Sequence, residues 1–414
     1  MSRDHGFLDV LPRPEFEALL AAFSPLPGET APLAEAAGRF LAAGVTAPED
    51  LPPAPRAGMD GFAVFARDTF GASESNPAYL EPVGEIRIDR LPDLQVGPGQ
   101  CAAIPTGGWL PEGADAVVMV EHADRAGDLI EIRKSVAPGE HVMQAGEDAR
   151  AGTEALTAGT RLAAPELALL AALGTPDILA RRRPRVGILS SGDELVPFTE
   201  PAGPGRVRDV NALALAALAA EAGGLPERLG IVPDDLGRLT RALSDAVERS
   251  DLVCISGGSS VGVRDLTVAA LTALPDSELL AHGVAISPGK PTLLGRVGDT
   301  PVLGLPGQVA SAQVVAVVLA CPLIRHLAGD PRAFTAPRRP LRRAELARNQ
   351  ASKPGREDFV RVALAERAGR PPLATPVTGK SGLLRTLLRS DGLMPIPAAA
   401  EGLEAGTLVD VWLL

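Results

Sequence analysis

Several polar clusters in this 414-residue chain sit where a ligand and its reacting groups would need them. The stretch from Asp251 to Ser311 carries three glycine- or proline-rich loops, SGGSSVG, SPGKP and LPGQ. Ser256, Gly257, Gly258, Ser259 and Gly262 fall in or beside the first, Pro288, Gly289, Lys290 and Pro291 in the second, and Pro306 in the third. Glycines let backbone N–H groups approach an anion closely, and a following helix adds the positive end of its dipole. Lys290 supplies a cation, and Asp265 a carboxylate able to hold a metal ion. The chemistry predicted is the binding of a phosphorylated or oxyanionic ligand. Asp193, Glu194, Asp234 and Asp235 add acidic groups that suit Mg²⁺, a cation preferring hard oxygen ligands. Each cluster alone has an ordinary explanation: a helix cap for Asp234 or Asp235, a tight turn for Gly257-Gly258, a solvated charge for Lys290. At the carboxyl edge of one sheet, together, they favour a site.

The elements that must position these groups follow from periodicity. Leu252–Ile255, Val284–Ile286 and Val302–Leu305 are short apolar runs bounded by turn residues, as buried strands are. From Pro184 the pattern alternates strand, loop and helix. Val186–Leu189 leads into SSGDEL, Asn211 is positioned to cap a helix over Ala212–Ala222, and Leu229–Val232 leads to Pro233-Asp234-Asp235 and a helix through Val247. A helix from about Val309 to Leu327 closes the unit. Such alternation predicts a mostly parallel α/β sheet wrapped by helices.

Upstream, helical spacing predicts a helix over Arg13–Phe23 and a second helical segment over Glu29–Val45. The proline cluster near residue 52 then opens a β-rich module. Its strand candidates, Phe62–Phe65, Glu85–Ile88, Cys101–Ile104, Ala116–Val120 and Leu129–Ile132, lie at intervals like those of a small barrel. Pro165–Leu173 reads as a helix ending at Gly174. After Pro337 the strand candidates Asp358–Leu364, Leu393–Ile396 and Leu408–Leu413 predict a C-terminal β domain.

Composition narrows the function. A formal net charge of −11 argues against a broad nucleic-acid surface, so an anionic ligand needs a local basic pocket. Cys101, Cys254 and Cys321 show no metal-binding or redox spacing and read as reduced structural thiols of a cytoplasmic protein. The histidines are dispersed and suggest no zinc site. No apolar run is expected to reach the ~18 residues of a membrane span, and no signal pattern opens the sequence. A soluble protein is expected.

SGGSSVGVRD, PGKP, LPG, SSGDEL and MDGFAV together resemble the molybdopterin molybdenumtransferase family, the bacterial counterparts of gephyrin's C-terminal domain. PTGGWLPEGADAVVMVE, AGEDARAG, GREDFVRV and SDGLMPIP extend the resemblance over nearly the whole chain, in the family's order. The resemblance implies insertion of molybdate into adenylylated molybdopterin with release of AMP, Mg²⁺ as cofactor, a homodimer, and transient contact with other proteins of cofactor biosynthesis. It implies an α/β domain over 5–26 and 182–330 like that of molybdopterin adenylyltransferase, an extended N-terminal region over 27–51 and 142–181, a β-rich inserted module over 52–141 and a C-terminal β-barrel over 331–414. Two alternatives stand beside it: adenylyltransferase activity itself, and a non-catalytic pterin-binding scaffold.

Functional positions implied by the resemblance are Asp60, Thr106, Asp148, Glu194, Asp234, Asp265 and Lys290, with Asp265 and Glu194 as metal ligands. The sequence departs from the family at Ser287, where lysine is frequent, and at Gln308-Val309, where proline and asparagine are frequent. Arg356 or Arg361 then compensates for the missing cation, and Ser311 and Ser381 supply hydroxyl donors. Asp60, Thr106 and Asp148 lie outside the α/β unit and must reach the site by interdomain or intersubunit approach.

Overall fold

The structure is a computed structural model describing residues 10–257, 261–335 and 339–414, with backbone alone for 261–265. The chain forms two compact units. One comprises residues 1–30, 38–42 and 179–414, the other residues 31–37 and 43–178.

The larger unit is built on a six-stranded sheet. Leu225–Val232, Arg185–Ser191, Leu252–Gly257 and Thr300–Pro306 run parallel in that spatial order. Leu293–Val297 follows antiparallel to Thr300–Pro306, and Ser277–His282 closes the edge antiparallel to it. Successive side chains of a strand face opposite ways, and both faces here are apolar. Leu252 and Cys254 pack beneath the helices Asn211–Glu221 and Val309–Leu327. Val253 and Ile255 meet Leu239 and Leu243 of the helix Leu236–Arg249 on the other face. Full burial of one such side chain contributes ~1.5–3 kcal/mol. These strands are therefore continuous apolar runs, as strands covered on both faces are.

The helix Arg13–Ala21 forms as expected and buries Phe16 and Leu20 in the same core. Its Arg13 ion-pairs with Glu17 and, at 2.6 Å, with Glu357 of the C-terminal domain. Contrary to the expectation that no apolar run has the length of a membrane span, Val309–Leu327, 19 residues with mean hydropathy 1.6, is long and apolar enough to cross a membrane. Its apolar window is 78% buried inside the protein, as in a core helix.

The C-terminal domain closes five strands into a barrel: Glu357–Arg367, Arg370–Pro376, Leu341–Leu346, Leu408–Leu413 and Gly392–Ile396, the last pairing back onto the first. Ala344, Val362, Met394 and Val411 fill its interior.

The smaller unit carries a second six-stranded sheet, in the order Ala116–Met119, Gly61–Val64, Gln100–Ile104, Ala78–Glu85, Leu129–Ile132 and Ala123–Ala126. Among the described residues no pairing joins its two outer strands. The helix Ala164–Ala172 ends beside Gly174, whose φ of 67° is the left-handed value a C-terminal glycine allows.

Four expectations need correction. Glu29–Val45 is not helical: it holds a strand at Gly28–Pro32, one turn of tight helix at Leu33–Glu35, and another strand starting at Val45. Pro32 lacks an N–H and Gly38 takes φ 79°, so helical spacing is overridden by the local backbone. The strand expected at Glu85–Ile88 lies earlier, at Ala78–Glu85, tolerating Pro82 beside a register shift. Asn211 does not cap its helix: the Asp209 carboxylate accepts from the Ala212 N–H at 3.1 Å, leaving the Asn211 amide free to reach elsewhere. Finally, the run ending at Ile286 is not part of the α/β sheet. Ile286–Ser287 pairs in parallel with Glu357–Asp358 of the C-terminal domain, so the SPGKP loop starts between the two domains of this unit.

Candidate active site

The carboxyl ends of Arg185–Ser191, Leu225–Val232 and Leu252–Gly257 lie side by side, and their loops carry the acidic cluster. The buried Ser191 hydroxyl donates to Asp234 Oδ1 at 2.8 Å, and the Asp234 N–H donates to Asp193 Oδ1 at 3.1 Å. Asp235 is the residue that caps the following helix, accepting from the Arg238 N–H at 2.8 Å. Division of labour between adjacent aspartates thus leaves Asp234 for the site. Glu194 is exposed beside Gly192, and the hydroxyls of Ser190 and Ser256 stand 3.4 Å apart beneath. Gly257 is required here, since a Cβ would lie 2.4 Å from the Ser191 carbonyl oxygen.

Gly258 and Ser259 lie outside the described residues. Gly262 and Asp265 belong to the helix Val261–Thr272, but nothing of their side chains is described. Among the described residues no three His, Cys, Asp or Glu side chains gather as a metal-holding group.

Gly257 pairs with Pro306, and Pro306 opens a second, contiguous feature. A cleft of about 360 Å³ is lined by Ser287, Pro288, Gly289, Lys290, Pro291 and Pro306, with Gly307, Gln308, Ser311, Arg356 and Ser381. Thr292, fully buried, donates its hydroxyl to the Gly289 carbonyl at 2.7 Å and so holds the SPGKP turn. Gly289 takes φ 129°, and a Cβ there would lie 2.5 Å from Val315, which explains the glycine. The Ser381 carbonyl accepts from the Ala310 N–H at 3.0 Å, joining the C-terminal domain to the start of the Val309–Leu327 helix.

Charge in this cleft is unevenly spent. Arg356 Nε lies 3.0 Å from the Asp358 carboxylate, so much of its charge is answered. Lys290 is exposed and has no carboxylate within ion-pair distance among the described residues. Arg361 does not line the cleft: its guanidinium donates to the Thr386 hydroxyl and, at 3.0 Å, to the Gly379 carbonyl. Burial lowers its pKa. Among the described residues the cleft therefore offers one ammonium without an ion-pair partner, one partly neutralised guanidinium and the hydroxyls of Ser287, Ser311 and Ser381. That set has the chemistry to hold an oxyanion through charge-assisted hydrogen bonds.

In the smaller unit, the Thr106 N–H donates to Asp60 Oδ1 at 2.6 Å. That backbone donor, with the Thr106 side chain, lowers the Asp60 pKa although the carboxylate is fully exposed. Asp148 is exposed on the segment whose N–H groups bond back to Leu51.

Two participants escaped the sequence reading. Ser191 was only one letter of SSGDEL, yet it anchors Asp234. Asn211 donates its amide to the Gly307 carbonyl at 2.9 Å and steadies the LPG turn. A polar residue at the first turn of an otherwise alanine- and leucine-rich helix was the available signal.

Three family profiles cover most of the chain: "MoeA N-terminal region (domain I and II)" over residues 13–174, "Probable molybdopterin binding domain" over 187–326, and "MoeA C-terminal region (domain IV)" over 343–414. A putative molybdopterin biosynthesis protein of Methanocaldococcus jannaschii is 36% identical, with 92% of this chain and 91% of that protein covered. The chain belongs to the MoeA family. Molybdopterin molybdenumtransferase 2 of Mycobacterium tuberculosis is 35% identical over 92% of this chain and 94% of its own. The crystal structure of a molybdopterin biosynthesis MoeA protein from Pyrococcus horikoshii superposes with a TM-score of 0.77 at 34% identity, covering 98% of this chain and 99% of that one. The multidomain MoeA architecture is thus shared along the whole length.

Proposed function

We propose that this protein inserts molybdate into adenylylated molybdopterin, releasing AMP and giving molybdenum cofactor. The observation that carries the reading is the cleft holding Lys290, Arg356, Ser311 and Ser381 beside the acidic sheet edge, in a chain of net charge −11. Molybdate, a dianion, is the substrate for such a pocket. The transferase names of the relatives support the same reading.

The roles divide by charge. Lys290 draws the oxyanion in, Arg356 adds a second cation, and the serine hydroxyls donate to its oxygens. Asp234, fixed by Ser191, orients water toward the phosphoanhydride. Carboxylate oxygens are the ligands a hard cation prefers, and on that chemistry Glu194 with Asp265 would hold Mg²⁺. When bound, that ion supplies charge neutralisation at the phosphates. Asp60, Thr106 and Asp148, which lie on the smaller unit, complete the set of proposed functional residues.

The division into four regions with the boundaries given above, a homodimeric assembly and a cytoplasmic setting complete the proposal. The three unpaired cysteines support the last of these. Incubating the purified protein with adenylylated molybdopterin, Mg²⁺ and molybdate should release AMP and form cofactor in step. Transfer of the adenylyl group from ATP to molybdopterin, giving adenylylated molybdopterin and pyrophosphate without cofactor formation, would favour the adenylyltransferase alternative, and pterin binding without turnover would favour the scaffold.

A further inference from the structure

Arg56 has no part in the sites described so far. It lies in the two-residue strand Arg56–Ala57, which pairs with Val142–Met143 on one side. On the other it bridges Trp109, in the turn that follows Thr106. Ala57 N–H donates to the Gly108 carbonyl at 2.9 Å, and Gly107 N–H donates to the Ala57 carbonyl at 2.8 Å. Side chains directly opposite across paired strands share a face. The Arg56 guanidinium carbon accordingly lies 3.9 Å above the centre of the Trp109 ring.

The electrostatics of this arginine are incomplete. Its Nε is buried and without a hydrogen bond. Among the described residues Arg133 and Arg356 also have a buried Nε lacking one, but each sits within ion-pair distance of carboxylates: Asp124 and Glu74 for the first, Asp358 for the second. Arg56 has no carboxylate or hydrogen-bond acceptor among the described residues. Arg56 is half-buried, and burying its Nε without an acceptor carries a cost that an aromatic face, worth ~0.5–2 kcal/mol, offsets only in part. The stack also fixes the side chain's orientation in advance, so little freedom is lost when its planar fork meets an anion.

We propose that Arg56, held on Trp109, is a phosphate-binding residue, and that the turn carrying Thr106 and Trp109 forms a phosphate subsite. The chemical class of its ligand is a phosphate or phosphoanhydride. Its assignment to the phosphates of the pterin nucleotide rests on the function proposed above; the anion site itself does not.

The test uses the full chain with Trp412→Phe, which leaves Trp109 as its sole tryptophan and keeps an aromatic ring against Phe359. Inorganic pyrophosphate is the probe, followed by Trp109 emission and by calorimetry. A saturable emission change is expected. Calorimetry should show binding at least tenfold weaker with Arg56→Gln and intermediate with Arg56→Lys, which keeps the charge and loses the fork. In the cofactor assay Arg56→Gln should raise KM for adenylylated molybdopterin more than it lowers kcat. No saturable binding, or equal binding by the Arg56→Gln protein, overturns the proposal and leaves Arg56 as a structural clasp on Trp109. If pyrophosphate binding depends on Arg56 but the parent protein forms no cofactor, the phosphate subsite stands and the functional assignment falls.

Discussion

Ser191 and Asp234 are joined by a 2.8 Å hydrogen bond between the ends of two neighbouring parallel strands. The serine is 1% exposed, so its hydroxyl has no competing water and holds the carboxylate in one orientation. Ser191→Ala removes a bond to a charged group, worth ~1.5–3 kcal/mol. AMP release should fall by roughly 10- to 100-fold, with the folded state retained by circular dichroism. Ser191→Thr, which restores the hydroxyl, should recover most of the rate.

Among the described residues Lys290 has no ion-pair partner, and it supplies the main attraction in the proposed oxyanion cleft. Lys290→Ala should raise the molybdate concentration for half-maximal rate at least tenfold, about 1.4 kcal/mol, with little change in nucleotide binding. Ser287→Lys adds a cation to the same wall and should lower that concentration. Titrating molybdate in the AMP-release assay checks both.

Asp60 titrates below the usual carboxylate range because the Thr106 N–H, and secondarily its side chain, favour the ionised form. The folded pKa lies below the unfolded one. Its contribution to stability is therefore present above the ordinary carboxylate value, ~3.9, and is lost as pH falls through the lower folded pKa. Carboxyl NMR titration should give a value below that of a model aspartate. Thr106→Ala should keep most of the shift, since the backbone donor remains.

All three thiols are poor nucleophiles. Burial pushes Cys101, Cys254 and Cys321 each up to about 12. The native protein should show no fast-reacting thiol towards a disulfide reagent at neutral pH, and three after denaturation.

Much of this architecture was legible because strands buried on both faces are apolar without interruption and stop at glycine-rich turns. Leu252–Ile255 and Val302–Leu305 were found on those grounds. The site was legible in its parts: SPGKP, LPGQ and SSGDEL each announced a loop. What spacing cannot carry is partnership between distant segments. Ile286–Ser287 looks like any strand of the α/β sheet, and only its pairing with Glu357–Asp358 brings Arg356 beside Lys290. Arg356 and Arg361 are equivalent candidates in sequence; Arg356, just before the barrel strand, lines the cleft, whereas Arg361 within the strand is committed to Thr386 and Gly379. Likewise Asp234 and Asp235 are interchangeable caps on paper, and Ser191 decides between them.

The central claim is that the cleft at Lys290, Arg356, Ser311 and Ser381 receives the oxyanion. Crystals soaked in molybdate and measured at the molybdenum absorption edge test it most directly. The account predicts an anomalous peak inside this cleft, within hydrogen-bond distance of Lys290 Nζ and at least one serine hydroxyl, and lost in Lys290→Ala. A peak elsewhere with the cleft empty of molybdenum, or a cleft peak unchanged by that substitution, would contradict it.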